Sequence, residues 1–208
     1  MSQENNTIAA TRFIRKKKPA QGNYAFIDSQ NLNLGVQRMG WKMDWRKFRE
    51  YLRQNYNVTH AYMFIGYMSE NESLYERMYE HGYLVVLKPT VDITQQVHDR
   101  AVADGGEVVR PEQPVSEKDK DKPIIKGNVD AELVLYAMKE IPNYSKALIV
   151  SGDGDFFSLA EYLEEQGKLE KIMTPNWQYS SLLKPFEAKI IRLDQQRRQL
   201  AYHDRKRK

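Results

Sequence analysis

Short apolar runs alternate along the chain with segments whose apolar residues recur at helical spacing. Apolar runs of strand length occupy 24–27, 61–65, 83–87 and 147–150, and shorter ones lie at 172–173 and 190–191. Helical spacing predicts helices after Asp44, after Asn71, from about Val129, and from Phe156, with a brief helix near 181–183. Strands that alternate with helices in this way predict a mostly parallel sheet sandwiched by helices, a three-layer α/β domain.

Residues 90–125 interrupt the alternation of predicted strands and helices. They contain Gly105-Gly106, Pro111, Pro114 and a run of alternating Lys and acidic residues. We interpret them as a long excursion from the domain, with a short hairpin near Gly105, because connections of this length are usually functional. The predicted organisation is a basic N-terminal arm at 1–21, a domain at 22–194 and a basic C-terminal tail at 195–208.

Charge is unevenly distributed along the 208 residues. The net charge of +4 combines basic ends with an acidic middle: residues 1–18 carry about +4 and residues 195–208 about +5, leaving about −5 between them. Basic arms beside an acidic body suit a polyanionic partner, although short basic ends can also serve only solubility. Cys is absent, so thiol nucleophiles and Cys-ligated metals are excluded. With no membrane-spanning or signal segment in the sequence, we expect a cytoplasmic protein.

Acidic residues follow the apolar runs at corresponding places. Asp28 and Asn31 come after the first predicted strand, Asp153 and Asp155 come after the strand that ends at Val150, and Asp130 stands at a helix start. Because the carboxyl ends of parallel strands meet at one edge of the sheet, these residues should converge. Gly152 and Gly154 flank Asp153, and we expect them to allow a sharp turn at positive φ.

Each of these residues also has a structural explanation. Asp28 suits an Asx turn, Asp155 a helix cap, and Asp130 a helix N-terminus. Several carboxylates in one cleft would repel one another unless a cation or shared protons compensate. Oxygen-only ligands favour Mg²⁺ or Mn²⁺ over zinc, so their joint placement predicts a metal-binding acidic site at Asp28, Asp130, Asp153 and Asp155.

Three segments around these residues resemble the signature blocks of a known family. They are 24–32, 126–130 and 151–156, with the sequences YAFIDSQNL, KGNVD and SGDGDF. They are similar to those of NYN domains, in the LabA-like branch of the PIN-like nuclease superfamily. The resemblance implies a PIN-like, Rossmann-like fold and a metal-dependent ribonuclease whose catalytic residues map to Asp28, Asn31, Asp130, Asp153 and Asp155.

The resemblance therefore implies hydrolysis of RNA phosphodiester bonds, and we expect single-stranded RNA to be favoured. RNA contacts are expected from residues in these blocks and in the C-terminal tail, namely Lys126, Asn128, Ser151, Arg197, Arg198, Arg205, Lys206, Arg207 and Lys208. An alternative from another class is a non-catalytic RNA-binding adaptor with the same fold. A scaffolding role of the excursion in self-association, giving a homo-oligomer, is also left open.

Overall fold

A computed structural model describes residues 22–68, 71–89, 91–92, 125–126 and 129–203. Within them, six parallel strands form one sheet: β1 (Asn23–Asp28), β2 (Val58–Tyr67), β3 (Leu84–Pro89), β6 (Ala147–Val150), β7 (Leu169–Thr174) and β8 (Ile190–Arg192). Their order across the sheet is β3-β2-β1-β6-β7-β8. The chain first adds strands on one side of β1 and then on the other, so the order reverses at β1. Ligands of open α/β sheets bind beside such a reversal point.

Helices cover both faces of this sheet. The α-helices are α1 (Ser29–Arg38), α2 (Trp45–Tyr56), α3 (Glu72–Glu80), α4 (Asp130–Lys139), α5 (Phe157–Glu165) and α6 (Arg197–Leu200). Short 3₁₀ helices occupy Ile141–Asn143, Gly154–Phe156, Ser181–Lys189 and Leu193–Gln196. The predicted three-layer α/β fold is therefore confirmed. Among the described residues, no helix is both long and apolar enough to cross a membrane.

The central strand β1 contributes to two cores because successive side chains of a strand point to opposite faces. Ala25 and Ile27 pack with apolar residues of α1, α2, α3 and α6. Tyr24 and Phe26 pack with α4 and α5. Burial on both faces explains why this strand is a continuous apolar run rather than an alternating one.

Helix α1 is absent from the predicted elements. Its buried residues are only Leu32, Gly35 and Val36, too few for a clear apolar stripe. Gly35 is required by a distant contact: a Cβ at this position would lie 2.4 Å from Cγ of Pro175, the residue after β7. The helix is therefore fixed by packing between distant parts of the chain, which local spacing does not show.

The packed part of the chain extends beyond the predicted domain boundary at 194. Leu200 is only 1% exposed, and the backbone N–H of Tyr202 donates to the carbonyl of Lys42 at 2.8 Å. Arg197 and Arg198 consequently lie on a helix packed against α2 rather than on a separate tail. The buried Leu200 side chain explains the difference, since the predicted tail was defined by its charge.

The excursion departs from and returns to the domain as a small ribbon. Strands β4 (Val91–Asp92) and β5 (Ile125–Lys126) pair antiparallel, with Val91 opposite Lys126. The predicted hairpin near Gly105 and the N-terminal arm at 1–21 lie outside the described residues. The same holds for Asn128 and for Arg205, Lys206, Arg207 and Lys208.

Candidate acidic site

Two neighbouring strands bring Asp28 and Ser151 together. Strands β1 and β6 are parallel partners, with Ile27 opposite Val150. Asp28 is the last residue of β1, and Ser151 follows the last residue of β6, so both stand at the carboxyl edge of the sheet. This is the edge where the strand order reverses. Sheet geometry thus places two polar residues, 123 positions apart, side by side.

Asp28 is a buried carboxylate with two hydrogen-bond donors. It is 5% exposed, and its Oδ1 accepts the backbone N–H of Asn31 at 3.0 Å as the N-cap of α1. The hydroxyl of Ser151 donates to Oδ2 at 3.2 Å. Burial raises the pKa of Asp28 from 3.8 to about 6. The Asn31 and Ser151 hydrogen bonds lower this pKa, and the charges of Asp130 and Asp153 raise it.

Asp28, Asp130 and Asp153, which we call the acidic site, therefore share one electrostatic environment. Asp130 is the first residue of α4 and is half-buried. Asp153 is also half-buried, and its Oδ1 accepts the backbone N–H of Asp155 at 3.0 Å. The Asp155 side chain is exposed, and Asp155 is linked to the acidic site by the hydrogen bond from its backbone N–H to Asp153. The charges of Asp130 on α4 and of Asp153 in the loop after β6 thus act on Asp28 at the end of β1, while the fourth predicted ligand, Asp155, is exposed.

A hydrogen-bonded loop holds Asp153 beside Asp28. The Ser151 Oγ accepts the backbone N–H of Asp153 at 3.2 Å while it donates to Asp28. The side-chain oxygen of Asn31 accepts the backbone N–H of Gly152 at 2.9 Å. Asn31 therefore orients two parts of the site: its backbone N–H bonds to the Asp28 carboxylate, and its side-chain oxygen bonds to the loop after β6.

The two glycines that flank Asp153 allow close packing rather than a turn at positive φ. Positive φ among the described glycines occurs at Gly40, Gly82 and Gly167, so the expectation for Gly152 and Gly154 was wrong. A Cβ at Gly154 would lie 2.4 Å from Oγ of Ser180, and one at Gly152 would lie 3.3 Å from Cβ of Tyr179. These glycines let the loop pack closely against residues 179–180.

Ser151 differs from its predicted role in RNA contact. It is 1% exposed, and its hydroxyl is used by Asp28 and Asp153. It supports the acidic site instead, because a buried hydroxyl with two partners offers little to a substrate. Arg197 and Arg198 are exposed on α6. Lys126 lies in β5.

The carboxylate oxygens of the acidic site are the ligand type that Mg²⁺ and Mn²⁺ prefer. Among the residues that the structure describes, no three His or acidic side chains lie close enough together to hold an ion by themselves. Mg²⁺ typically binds one or two carboxylates and keeps several waters. The charges of Asp130 and Asp153, which raise the pKa of Asp28, provide the negative field that attracts such an ion.

A small cavity that sequence reasoning missed adjoins the acidic site. Its volume is about 110 Å³, and we call it the α1–β7 cavity. It is lined by Asn31, Leu34, Gly35, Arg38, Gly152, Pro175, Asn176 and Gln178. Asn31 and Gly152 belong to both regions. The sequence signal was Asn176-Trp177-Gln178, which begins three residues after the apolar pair 172–173, as Asp153 stands three residues after Val150.

Comparisons with known proteins agree with this architecture. No curated protein matches the chain. A protein of unknown function from Vibrio parahaemolyticus has a similar crystal structure, with a TM-score of 0.60 and 16% sequence identity over 89% of this chain and 99% of that one. That likeness shows the fold. The NYN domain model matches residues 24–184, which include all three acidic-site residues. The chain therefore belongs to the NYN domain family, a nuclease-like family that points to the PIN-like nuclease superfamily.

Proposed function

We propose that the protein is a metal-dependent ribonuclease of the LabA-like branch that hydrolyses RNA phosphodiester bonds. The observation that carries the proposal is the burial of Asp28 at the carboxyl edge of the sheet within the field of Asp130 and Asp153. Burying a carboxylate near two others opposes folding, so this arrangement is better explained by a bound cation than by structure alone. The PIN-like superfamily usually uses divalent metals.

Each residue of the site has a proposed role. Asp28, Asp130 and Asp153 hold Mg²⁺ or Mn²⁺, and Asp155 either binds the ion or positions the attacking water. Asn31 and Ser151 keep Asp28 and the loop after β6 in register through their hydrogen bonds. A bound ion would lower the pKa of its water and neutralise charge on the phosphate. No side chain of the protein acts as nucleophile in this scheme.

The proposed substrate is single-stranded RNA in the cytoplasm. Basic residues outside the acidic site would hold the phosphates: Lys126, Arg197, Arg198, Arg205, Lys206, Arg207 and Lys208. Because Leu200 is buried, the removable segment starts at Asp204. Removing 204–208 should lower the log–log salt slope of RNA binding by about 0.7 for each cation engaged. An unchanged slope would mean that these residues bind no phosphate.

Cleavage of a labelled single-stranded RNA tests the function directly. The wild-type protein should cleave it in Mn²⁺ and not in EDTA, and Asp153→Asn should abolish cleavage. Asn can still accept the Asp155 N–H, so this variant keeps the cap and loses the charge. Asp44→Asn is the matched control, since Asp44 caps α2 and pairs with Lys47. Cleavage by Asp153→Asn at the wild-type rate would refute the assigned role.

A non-catalytic RNA-binding module is a second candidate. The observation that favours it is that the described part of the chain holds no group of three acidic or histidine side chains close enough to bind an ion by themselves. This candidate predicts RNA binding that is the same in Mn²⁺ and EDTA, with no cleavage products in either. The cleavage assay therefore separates the two candidates.

A further inference from the structure

Trp177 is a large aromatic side chain left in solvent at the carboxyl edge of the sheet. It is 58% exposed, whereas the preceding Asn176 is 4% exposed. Burial of such a ring would normally stabilise the fold, because aromatic side chains bury more apolar area than most others. The Trp177 indole is therefore outside the core and accessible to a ligand.

The turn that carries Trp177 is held firmly. The Asn176 side-chain amide donates to the carbonyl of Gly35 at 2.9 Å, and its side-chain oxygen accepts the N–H of Gln178 at 2.7 Å. The hydroxyl of Thr174 donates to the carbonyl of Asn176 at 3.1 Å. Pro175 packs against Gly35 in α1. These contacts fix the backbone on both sides of Trp177. A ligand that binds the indole would therefore not have to order this turn, which lowers the entropic cost of binding.

The location of this turn connects Trp177 to the acidic site. The two residues beside it, Asn176 and Gln178, line the α1–β7 cavity together with Asn31 and Gly152. The backbone N–H of Gly152 donates a hydrogen bond to the Asn31 side chain, and the backbone N–H of Asn31 donates one to Asp28. An RNA strand bound at the acidic site would therefore have a neighbouring nucleotide at this cavity.

A positively charged side chain also lines the cavity. Arg38, at the end of α1, lines it and is exposed. An exposed indole between two residues that line the cavity, and a guanidinium in the cavity wall, suit a nucleotide, whose base stacks and whose phosphate is negative. A protein partner would be expected to need a wider apolar patch, and the neighbouring Gln178 is exposed and polar.

We infer that Trp177 is a stacking platform for an unpaired nucleobase of the RNA strand, and that Arg38 contacts a phosphate of the same nucleotide or its neighbour. The inference rests on the proposed function for its substrate class. Stacking accepts every base, so the subsite selects unpaired bases rather than a particular sequence. It gives a physical reason why single-stranded RNA would be preferred, because a base in a duplex has no free face.

Binding measured without cleavage tests this subsite. The probe is a labelled single-stranded RNA of about ten nucleotides in EDTA. Trp177→Ala should weaken affinity by about tenfold or more, and Trp177→Phe should restore much of it because an aromatic face returns. Tyr79→Ala is the matched control. Tyr79 is 55% exposed and lies over β3, four strand spacings or about 19 Å from β7.

Two further measurements separate stacking from a general loss of structure. Trp177→Ala should leave the salt slope of binding unchanged, because an indole neutralises no phosphate, while Arg38→Gln should lower the slope by about 0.7. An oligomer of the same charge with abasic sugars should bind the wild-type protein and Trp177→Ala equally. Equal loss for both oligomers would overturn the inference.

The outcomes also separate this inference from the proposed function. Cleavage by the wild-type protein with unchanged RNA affinity in Trp177→Ala would refute the subsite and keep the nuclease. Lost affinity in Trp177→Ala with no cleavage by any variant would keep the subsite and refute the nuclease. A change in the molar mass of Trp177→Ala by light scattering, without a change in RNA affinity, would assign the side chain to a protein contact.

Discussion

Two aspartates in the molecule cap helices with nearly the same geometry but in opposite electrostatic surroundings. Asp28 caps α1 by accepting the N–H of Asn31 at 3.0 Å, and Asp44 caps α2 by accepting the N–H of Lys47 at 3.1 Å. The Asp44 carboxylate also pairs with the Lys47 ammonium at 3.7 Å. Asp28 instead meets the negative charges of Asp130 and Asp153.

The comparison separates what capping requires from what it does not. An N-cap needs an oxygen acceptor, which Ser, Thr or Asn supplies as well as Asp, so capping does not require a charge. At Asp44 the charge is matched by a lysine. At Asp28 the charge is buried beside other carboxylates, which destabilises the folded protein unless a cation is bound. Such a stability cost is typical of functional sites.

The largest predicted difference between the two caps is in catalysis. Asp28→Asn keeps the capping oxygen and removes the charge, so RNA cleavage in saturating Mn²⁺ should fall by roughly 100- to 1000-fold, equivalent to about 3–4 kcal/mol. Asp44→Asn should stay within about threefold of wild type, since its charge serves only the surface pair with Lys47. Single-turnover rates measure both. An equal loss in the two variants would show that helix capping, not charge at Asp28, matters for activity.

The next difference concerns stability as a function of pH in EDTA. The folded pKa of Asp28, about 6, lies above the value of 3.8 for an unperturbed Asp. Between these values the folded state binds more protons than the unfolded state, so the free energy of unfolding should decrease as pH rises from about 4 to 6. The total decrease from this group is about 3 kcal/mol at most.

Denaturant unfolding of wild type and Asp28→Asn at several pH values isolates this contribution. The stability of the variant relative to wild type should increase from pH 4 to pH 7, because Asn carries no titrating charge. Asp44→Asn, measured alongside, controls for the replacement of a capping carboxylate by an amide. If the difference between wild type and Asp28→Asn were constant with pH, the raised pKa of Asp28 would be wrong.

Metal should reverse the cost at Asp28 but leave Asp44 unaffected. An ion that binds only the folded protein stabilises it by about 2.7 kcal/mol at 100 times its dissociation constant. For a chain of this size the melting temperature should rise by roughly 5–10 °C with Mn²⁺. The rise should persist in Asp44→Asn and disappear in the double variant Asp28→Asn, Asp130→Asn. An equal rise in the double variant would place the ion elsewhere.

The sequence allowed much of this architecture to be predicted, and the reason is visible in particular elements. The strand at 147–150 and the helices that begin after Asp44 and at Phe157 were recognisable because their buried residues are close in sequence. Parallel strands then allowed the placement of Asp28 and Asp153 at one edge. That step used only the polarity of the residues that follow each strand.

The missed features depend on contacts between distant parts of the chain. Helix α1 and the Trp177 turn hold each other through Gly35, Pro175 and Asn176, and none of these residues has a local signal for that contact. Ser151 was predicted to contact RNA because its burial, at 1% exposed, cannot be read from its own segment. Leu200 was assigned to a tail because the surrounding residues are charged.

The smallest predicted effect tests how Asp28 is supported. Ser151→Ala removes a donor that lowers the pKa of Asp28 and an acceptor for the Asp153 N–H. Cleavage should fall by about tenfold, as for other residues that orient a metal ligand. In EDTA the pKa of Asp28 should rise further, so the stability decrease should extend to higher pH than in wild type.

Ser29→Ala is the matched control for Ser151→Ala, since the Ser29 hydroxyl donates to the Phe64 carbonyl at 2.7 Å. It should lose about 1 kcal/mol of stability without moving the pH range of the decrease. The same pH shift in both variants would mean that Ser151 contributes packing rather than a hydrogen bond to Asp28.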